Sequence, residues 1–144
     1  MFSKACEYGI KASIFIAINS YEGRRVSPKE IAEKIDSPQA FTAKILQALV
    51  RHDIVNSIKG AYGGFEIDRN KIGGIKLSHI VTAIDGDSIY NGCGLGLRKC
   101  DELHPCPVHD KFKAIREGLK QMLENTSLEE LALNIKSGAS FLKV

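Results

Sequence analysis

Two Ser-Pro dipeptides, Ser27-Pro28 and Ser37-Pro38, restrict the fold of this chain more than any other feature of its sequence. Serine caps the amino terminus of a helix and proline is favoured at the first helical position, so each dipeptide predicts the start of a helix. Glu30 adds the glutamate of a capping box to the first of them. Because the first helix must end before Ser37 and the second runs to about His52, the pair predicts a helix-turn-helix.

A glycine-rich hairpin follows this pair of helices directly. Residues 54–58 and 65–67 read as short β-strands, and residues 59–64 between them contain three glycines. A helix-turn-helix followed at once by such a hairpin predicts a winged helix. The expected fold class is therefore mainly α with a small β wing.

The second predicted helix and the hairpin tip carry the candidate DNA-binding side chains. Small and amide side chains near a helix amino terminus, with a lysine behind them, suit a helix that enters the major groove, and basic side chains favour the minor groove. An ordinary solvated polar face explains the helix residues equally well, and the net charge of +3 does not separate these interpretations. The candidates are Gln39, Thr42, Ala43, Lys44 and Gln47 on the helix, and Lys59 and Tyr62 at the tip.

An amphipathic segment near the carboxyl terminus predicts a homodimer. Residues 109–124 carry apolar side chains at intervals of three and four positions, which is typical of a helix with one buried face. Little of the chain remains to cover that face, so we expect a partner subunit to cover it. A capping box at Thr126–Glu129 predicts one further helix.

The chain thus divides into two predicted regions. Residues 1–70 form a winged helix-turn-helix DNA-binding domain, which begins with a helix from Ser3 to about Tyr21 that is apolar on more than one side. Residues 71–144 hold a linker helix, a cysteine loop and the long C-terminal dimerisation helix. The polar, turn-prone residues 68–74 predict a linker, and Ser78 is the expected cap of the helix at 77–84.

The segment from Cys93 to His109 concentrates the chemistry of the chain, with three of the four cysteines and two of the four histidines. Six residues lie between Cys93 and Cys100, and five lie between Cys100 and Cys106. His109 follows Cys106 by three positions. Zinc sites usually pair cysteines across a short turn, whereas an iron-sulfur cluster spreads its ligands and accepts histidine on one iron. The spacing favours a cluster over zinc, and thiols that only undergo oxidation are a third interpretation.

The amino terminus bears on where the chain resides. It lacks the basic start and apolar run of a secretory signal, and no stretch approaches the roughly 18 apolar residues of a membrane span. We therefore expect a cytoplasmic protein with no membrane partner, whose thiols stay reduced. In the first helix, Cys6 reads as a small core residue and Glu7 as a solvated carboxylate near the helix amino terminus.

Other functional classes fit the sequence less well. There is no nucleophile paired with a base and no phosphate-binding loop, so we do not expect an enzyme. An electron carrier could use the same cysteines, but that function would leave the winged helix without a role.

The order of these parts resembles that of bacterial IscR/NsrR-type regulators. The resemblance is carried by Ser3-Lys4 and Tyr8 in the first helix, by the wing sequence of residues 60–65, and by three spaced cysteines before a long helix. It implies a winged-helix dimer that binds promoter DNA and carries a sensory iron-sulfur cluster. A regulator of the same fold without a cluster, controlled by thiol oxidation or by a protein partner, is the alternative.

The resemblance also implies roles for individual residues. Cys93, Cys100 and Cys106 would ligate the cluster, with His109 as fourth ligand of a 2Fe-2S cluster or Glu7, reaching across the dimer, as fourth ligand of a 4Fe-4S cluster. The gap of six residues between the first two cysteines departs from the usual five. Nearest the bases would lie Ser37, Gln39, Thr42, Ala43 and Lys44, while Lys59 would replace an arginine commonly found in the wing.

Overall fold

The helix α1 (Lys4–Tyr21) lies at the centre of the fold. In the computed structural model, which describes residues 1–143, α1 packs against helices from both predicted regions and buries residues on several of its sides. Ser3 caps α1, because its side chain accepts a hydrogen bond from the backbone N–H of Cys6. Val144, the last residue of the predicted second region, lies outside the described residues.

The predicted helix-turn-helix is present as α2 (Pro28–Ile35) and α3 (Gln39–Arg51). Ser27 caps α2 by accepting a hydrogen bond from the Glu30 backbone N–H at 3.2 Å. In a full capping box the Glu30 carboxylate would also accept a hydrogen bond from the Ser27 backbone N–H. Here that carboxylate forms an ion pair with Arg24 instead. The apolar faces of α2 and α3 meet α1 in the main hydrophobic core of the protein.

The wing is a two-stranded antiparallel sheet of β1 (Asn56–Ile58) and β2 (Gly64–Glu66). Ser57 pairs with Phe65 in its register. Phe65 also exchanges backbone hydrogen bonds with Val26, at 2.8 and 3.1 Å. The segment before α2 therefore pairs with β2 along its free edge and fixes the wing to the helix-turn-helix.

The linker prediction for residues 68–74 is wrong in part. The short helix α4 (Arg69–Ile72) occupies the segment, and Ile72 is fully buried in the main core. The next helix, α5 (Leu77–Asp85), begins one residue before the predicted cap Ser78, because its N-cap is Lys76. Helix α5 packs against α1 and α3, so the second region is joined to the first by buried contacts.

Three helices complete the fold: α6 (Ser88–Asn91), α7 (His109–Asn125) and α8 (Leu128–Lys136). The cysteine loop connects α6 to α7. The capping box expected at Thr126–Glu129 is wrong by one residue, since Ser127 accepts the hydrogen bond, from the Glu130 backbone N–H at 3.1 Å. Among residues 1–143, none of these helices has the length and apolar composition needed to cross a bilayer.

The apolar stripe of α7 is covered only in part by its own chain. Leu123 is fully buried in a second cluster with Cys6, Leu77 and Val81. Towards solvent, Ile115 remains 63% exposed and Met122 44% exposed. The helix therefore packs on α5 along one side and leaves apolar side chains along another.

Candidate functional site

The cysteine loop and the start of α7 bring four of the five candidate ligands together as two pairs. The Sγ atom of Cys93 lies 3.9 Å from that of Cys106, and the Sγ atom of Cys100 lies 3.4 Å from Nδ1 of His109. All three cysteines are free thiols and half-buried, and His109 is buried. The His109 backbone N–H donates to the carbonyl of Cys106 at 3.0 Å, so the start of α7 joins the two pairs.

Hydrogen bonds within the loop favour the thiolate form of Cys93. The backbone N–H groups of Leu95 and Leu97 lower its pKa most, and the neighbouring Cys106 and the Arg116 guanidinium lower it further. Metal ligation needs thiolates, so these donors prepare the side chain for a cation. This environment therefore favours the anionic form at one of the three loop cysteines.

Helix α7 fixes the loop from one side. A Cβ atom on Gly94 would lie 2.4 Å from the ring of Phe112, so only glycine allows the loop backbone to approach the helix this closely. Lys113 forms an ion pair with Glu102, and this contact lowers the pKa of the glutamate and raises that of the lysine. Arg116 donates hydrogen bonds to the Cys100 sulfur at 3.2 Å and to the Gly92 carbonyl.

The donor set does not surround a single point. Among residues 1–143, no three His, Cys, Asp or Glu side chains lie close enough together to hold one metal ion. A structural zinc ion needs four ligands around one centre, so this arrangement fits zinc poorly. Two separate pairs in one loop fit a core with more than one metal atom better.

Glu7 lies apart from the cysteine loop. It occupies the first turn of α1, where it forms an ion pair with Lys4 at 3.3 Å, and its side chain is 42% exposed. Within the part of the chain that the structure describes, no hydrogen bond joins Glu7 to the loop. The structure therefore brings His109, and not Glu7, to the cysteines of the same chain.

Most of the predicted DNA-binding side chains are accessible to solvent. Gln39, Lys44 and Gln47 are exposed on α3, and Ala43 is half-buried between them. Lys59 is exposed at the tip of the wing, and Tyr62 is 92% exposed there. A groove of about 570 Å³ separates α3 from the wing and is lined by Ala43, Gln47 and Lys59, so helix and wing present a continuous surface.

Thr42 and Ser37 do not belong to this exposed face. Thr42 is fully buried, and its hydroxyl donates to the carbonyl of Pro38 at 2.9 Å and meets the half-buried Ser37 hydroxyl. The prediction that Thr42 projects from α3 towards DNA is therefore wrong. Both hydroxyls instead lie at the first turn of α3, where the contact between them and the Pro38 carbonyl give the buried Thr42 hydroxyl its hydrogen-bond partners.

Sequence patterns missed two residues of this groove and one residue that supports the wing. Arg51 and Ser57 line the same groove, and Arg51 extends the row of Ala43 and Gln47 at a spacing of four residues, which could have revealed it. Arg25 holds the wing through hydrogen bonds to the Glu66 carboxylate at 3.0 Å and to the Tyr62 carbonyl at 3.2 Å. No local pattern indicates Arg25, because its partners lie 37 and 41 positions away.

The fold and these two surfaces define a winged-helix regulator with a cysteine loop. A family model described as Rrf2, iron-dependent transcriptional regulator, matches residues 2–134. The chain belongs to this family and is a DNA-binding transcriptional regulator. A candidate HTH-type transcriptional regulator of Aquifex aeolicus is 29% identical over 138 residues, which cover 94% of this chain and 93% of that protein.

Solved structures share the same fold. CymR (YrzC), the global cysteine regulator of B. subtilis, matches with a TM-score of 0.74 at 22% identity, over 92% of this chain and 96% of its own. IscR of T. potens matches with a TM-score of 0.74 at 17% identity, over 98% of this chain and 92% of its own. These likenesses confirm the predicted winged-helix architecture.

Proposed function

We propose that this chain is a homodimeric promoter-binding regulator whose DNA affinity is set by an iron-sulfur cluster held by Cys93, Cys100, Cys106 and His109. The observation that carries the proposal is the pairing of these four side chains in one loop of an Rrf2-family regulator. The family description names iron, which supports an iron-containing group. A bound cluster would supply a redox-active centre that changes its charge or is lost.

The spacing within each pair supports two metal atoms. At the bond lengths of a tetrahedral metal site, two thiolates on one metal lie roughly 3.8 Å apart, and a thiolate and an imidazole nitrogen roughly 3.5 Å. The corresponding separations here are 3.9 Å for Cys93 and Cys106 and 3.4 Å for Cys100 and His109. One metal atom for each pair corresponds to a 2Fe-2S core. A 4Fe-4S cluster would require Glu7 of a second subunit.

The exposed apolar side chains of α7 support the dimer. A regulator that reads two half-sites needs its recognition helices about one turn of DNA apart, roughly 34 Å. Two copies joined along α7 would set that separation. Ile115 and Met122, which remain exposed in the single chain, would then be covered.

A series of packed helices connects the cysteine loop to α3, the proposed recognition helix. The loop rests on α7, α7 packs on α5, and α5 packs on α3. A change at the loop that shifts α7 would therefore move the recognition helix. Coupling between two sites is typically about 1 to 3 kcal/mol, which corresponds to a change in affinity of about 5- to 150-fold.

Anaerobic isolation tests the proposal. Protein that holds the cluster should contain iron and acid-labile sulfide and absorb visible light. Its affinity for a DNA duplex selected from a random library should differ from that of the same protein after chelation. A colourless, iron-free protein would refute the cluster, and equal affinities at several salt concentrations would refute its regulatory role while leaving DNA binding intact.

A second candidate function rests on the same pair of sulfur atoms. Without a cluster, Cys93 and Cys106 at 3.9 Å are close enough for one molecule of hydrogen peroxide to oxidise the two thiols to a disulfide, with two molecules of water as the other product. The regulator would then respond to thiol oxidation. Peptide mass mapping of an iron-free sample after hydrogen peroxide tests this, since a Cys93–Cys106 cross-link is expected and unmodified thiols would exclude it.

A further inference from the structure

A half-buried arginine, Arg116, lies beside the predicted ligands, and its Nε atom is buried. Arg116 follows His109 by two turns of α7, so both side chains lie on one face of the helix. Its Nη2 atom donates to the Cys100 sulfur at 3.2 Å, and its Nη1 atom donates to the carbonyl of Gly92, the residue before Cys93. Arg116 thus joins the beginning and the middle of the cysteine loop to α7.

The third nitrogen of this guanidinium, Nε, has no acceptor for its N–H group. Among residues 1–143, Nε of Arg116 is the one buried side-chain nitrogen or oxygen atom without a hydrogen-bond partner. Buried N–H groups in native proteins are nearly always paired, so an orphaned donor indicates an acceptor that the chain itself does not provide. The other two nitrogens, Nη1 and Nη2, both donate to the cysteine loop, which supports an acceptor for Nε at the same loop.

We propose that Arg116 is a positioning residue of the iron-sulfur site, which donates its Nε–H to a sulfur atom of the bound cluster and favours the reduced state through its charge. This inference rests on the proposed function. It concerns how the site is tuned, and it does not concern which residues ligate iron.

The sign of the effect follows from charge. Three thiolates leave an oxidised two-iron centre with a net negative charge, and an electron that converts one ferric ion to ferrous makes the centre more negative. A fixed cation and hydrogen bonds to sulfur stabilise the more negative state, so both raise the reduction potential. A residue that only braced the loop would leave the potential unchanged.

The experiment compares three variants of the full-length protein, isolated anaerobically. Arg116→Gln removes the charge and keeps a donor, while Arg116→Lys keeps the charge and loses the fork-like donor geometry. Arg98→Gln is the matched control, because it removes an exposed arginine from the same loop. For each protein, iron and sulfide content are measured first, and a dithionite titration followed in the visible spectrum then gives the midpoint potential.

We expect the Arg116→Gln midpoint to become more negative, with at least a tenfold lower ratio of reduced to oxidised cluster at a fixed potential, or about 59 mV for one electron. Arg116→Lys should lie between this variant and the wild type, and Arg98→Gln should match the wild type. Loss of the cluster from Arg116→Gln alone, with retention in Arg116→Lys, also supports the proposal.

Wild-type cluster content and potential in both Arg116 variants would overturn the inference and leave the proposed function intact. Loss of the cluster from both variants, with normal helix content, would overturn the claim that the charge of Arg116 favours the reduced state. It would show only that Arg116 is needed to hold the cysteine loop against α7. A wild-type protein without iron would instead refute the proposed function itself, so the two failures are distinguishable.

Discussion

The Sγ atoms of Cys93 and Cys106 lie 3.9 Å apart, although thirteen positions separate the two residues in the sequence. The loop that closes this distance is held by α7 through Phe112, Lys113 and Arg116. Its geometry therefore depends on a helix that starts only after the last cysteine. Substitutions in the loop and in α7 should accordingly affect the same properties.

Removal of a predicted ligand should reduce the iron content of anaerobically isolated protein. Cys93→Ser, Cys100→Ser and Cys106→Ser should each lose most of the iron, because a hydroxyl is a poor ligand for iron at neutral pH. Cys6→Ala is the control, since Cys6 is buried in a separate cluster. Iron retained in all three serine variants would contradict the assignment.

The fourth ligand can be identified separately. His109 contacts Cys100 within the chain, whereas Glu7 is paired with Lys4. His109→Ala should therefore change the visible spectrum and lower the iron content, while Glu7→Gln should leave both close to the wild type. The opposite pattern would indicate ligation by Glu7 of the partner subunit and a larger cluster.

Basic residues that line α3 and the wing should determine the salt dependence of DNA binding. Each of Lys44→Ala, Arg51→Ala and Lys59→Ala should weaken binding, and each should reduce the slope of log affinity against log salt by about 1 if that side chain contacts a phosphate. Lys136→Ala on α8 is the control. Fluorescence anisotropy at several salt concentrations measures the slopes, and unchanged slopes would refute the proposed surface.

Thr42 should contribute to stability and not to recognition. Thr42→Val keeps the shape of the side chain and removes its hydrogen bonds to Pro38 and Ser37, so the free energy of unfolding should fall by about 1 kcal/mol. The DNA affinity of Thr42→Val should stay close to that of the wild type. Gln47→Ala, at an exposed position, should instead lower DNA affinity and leave the free energy of unfolding unchanged. Urea denaturation and anisotropy together separate these effects.

Cys6 should make the protein less stable at alkaline pH. Burial, with the Asp85 carboxylate nearby, raises the pKa of its thiol from 9.0 to about 12. As the pH rises, the Cys6 thiol therefore loses its proton in the unfolded chain before it does so in the folded protein. Its contribution to the free energy of unfolding is fully present below pH 9 and is lost as the pH rises towards 12. Between these values the free energy of unfolding of the wild type should fall more steeply than that of Cys6→Ala, by up to about 1.4 kcal/mol per pH unit. Parallel curves for the two proteins would contradict this.

Several parts of the fold could be predicted because their causes are local. The Ser27 cap and the boundaries of α2 depend on residues within one helical turn, and the wing hairpin depends on glycines between two short strands. The errors at Ser78 and Thr126 are also local, since neighbouring polar residues compete for the same capping position.

The candidate surfaces were less predictable because they depend on distant contacts. Thr42 looks polar and therefore exposed, but its hydroxyl finds partners that allow burial. Arg25 braces a wing formed about forty positions later, and Arg116 reaches a cysteine sixteen positions earlier. Side chains of this kind are recognised only when the chain is folded.

The sequence by itself determined the order of helices, the wing and the presence of three thiols and an imidazole in one loop, because capping, turn chemistry and ligand type are properties of a few neighbouring residues. Only the tertiary structure decided that these ligands meet as Cys93 with Cys106 and Cys100 with His109. It also decided that Arg116 stands beside them with a free donor. The physical reason is that packing of α7 against the loop and α5 fixes distances between residues that no local rule connects.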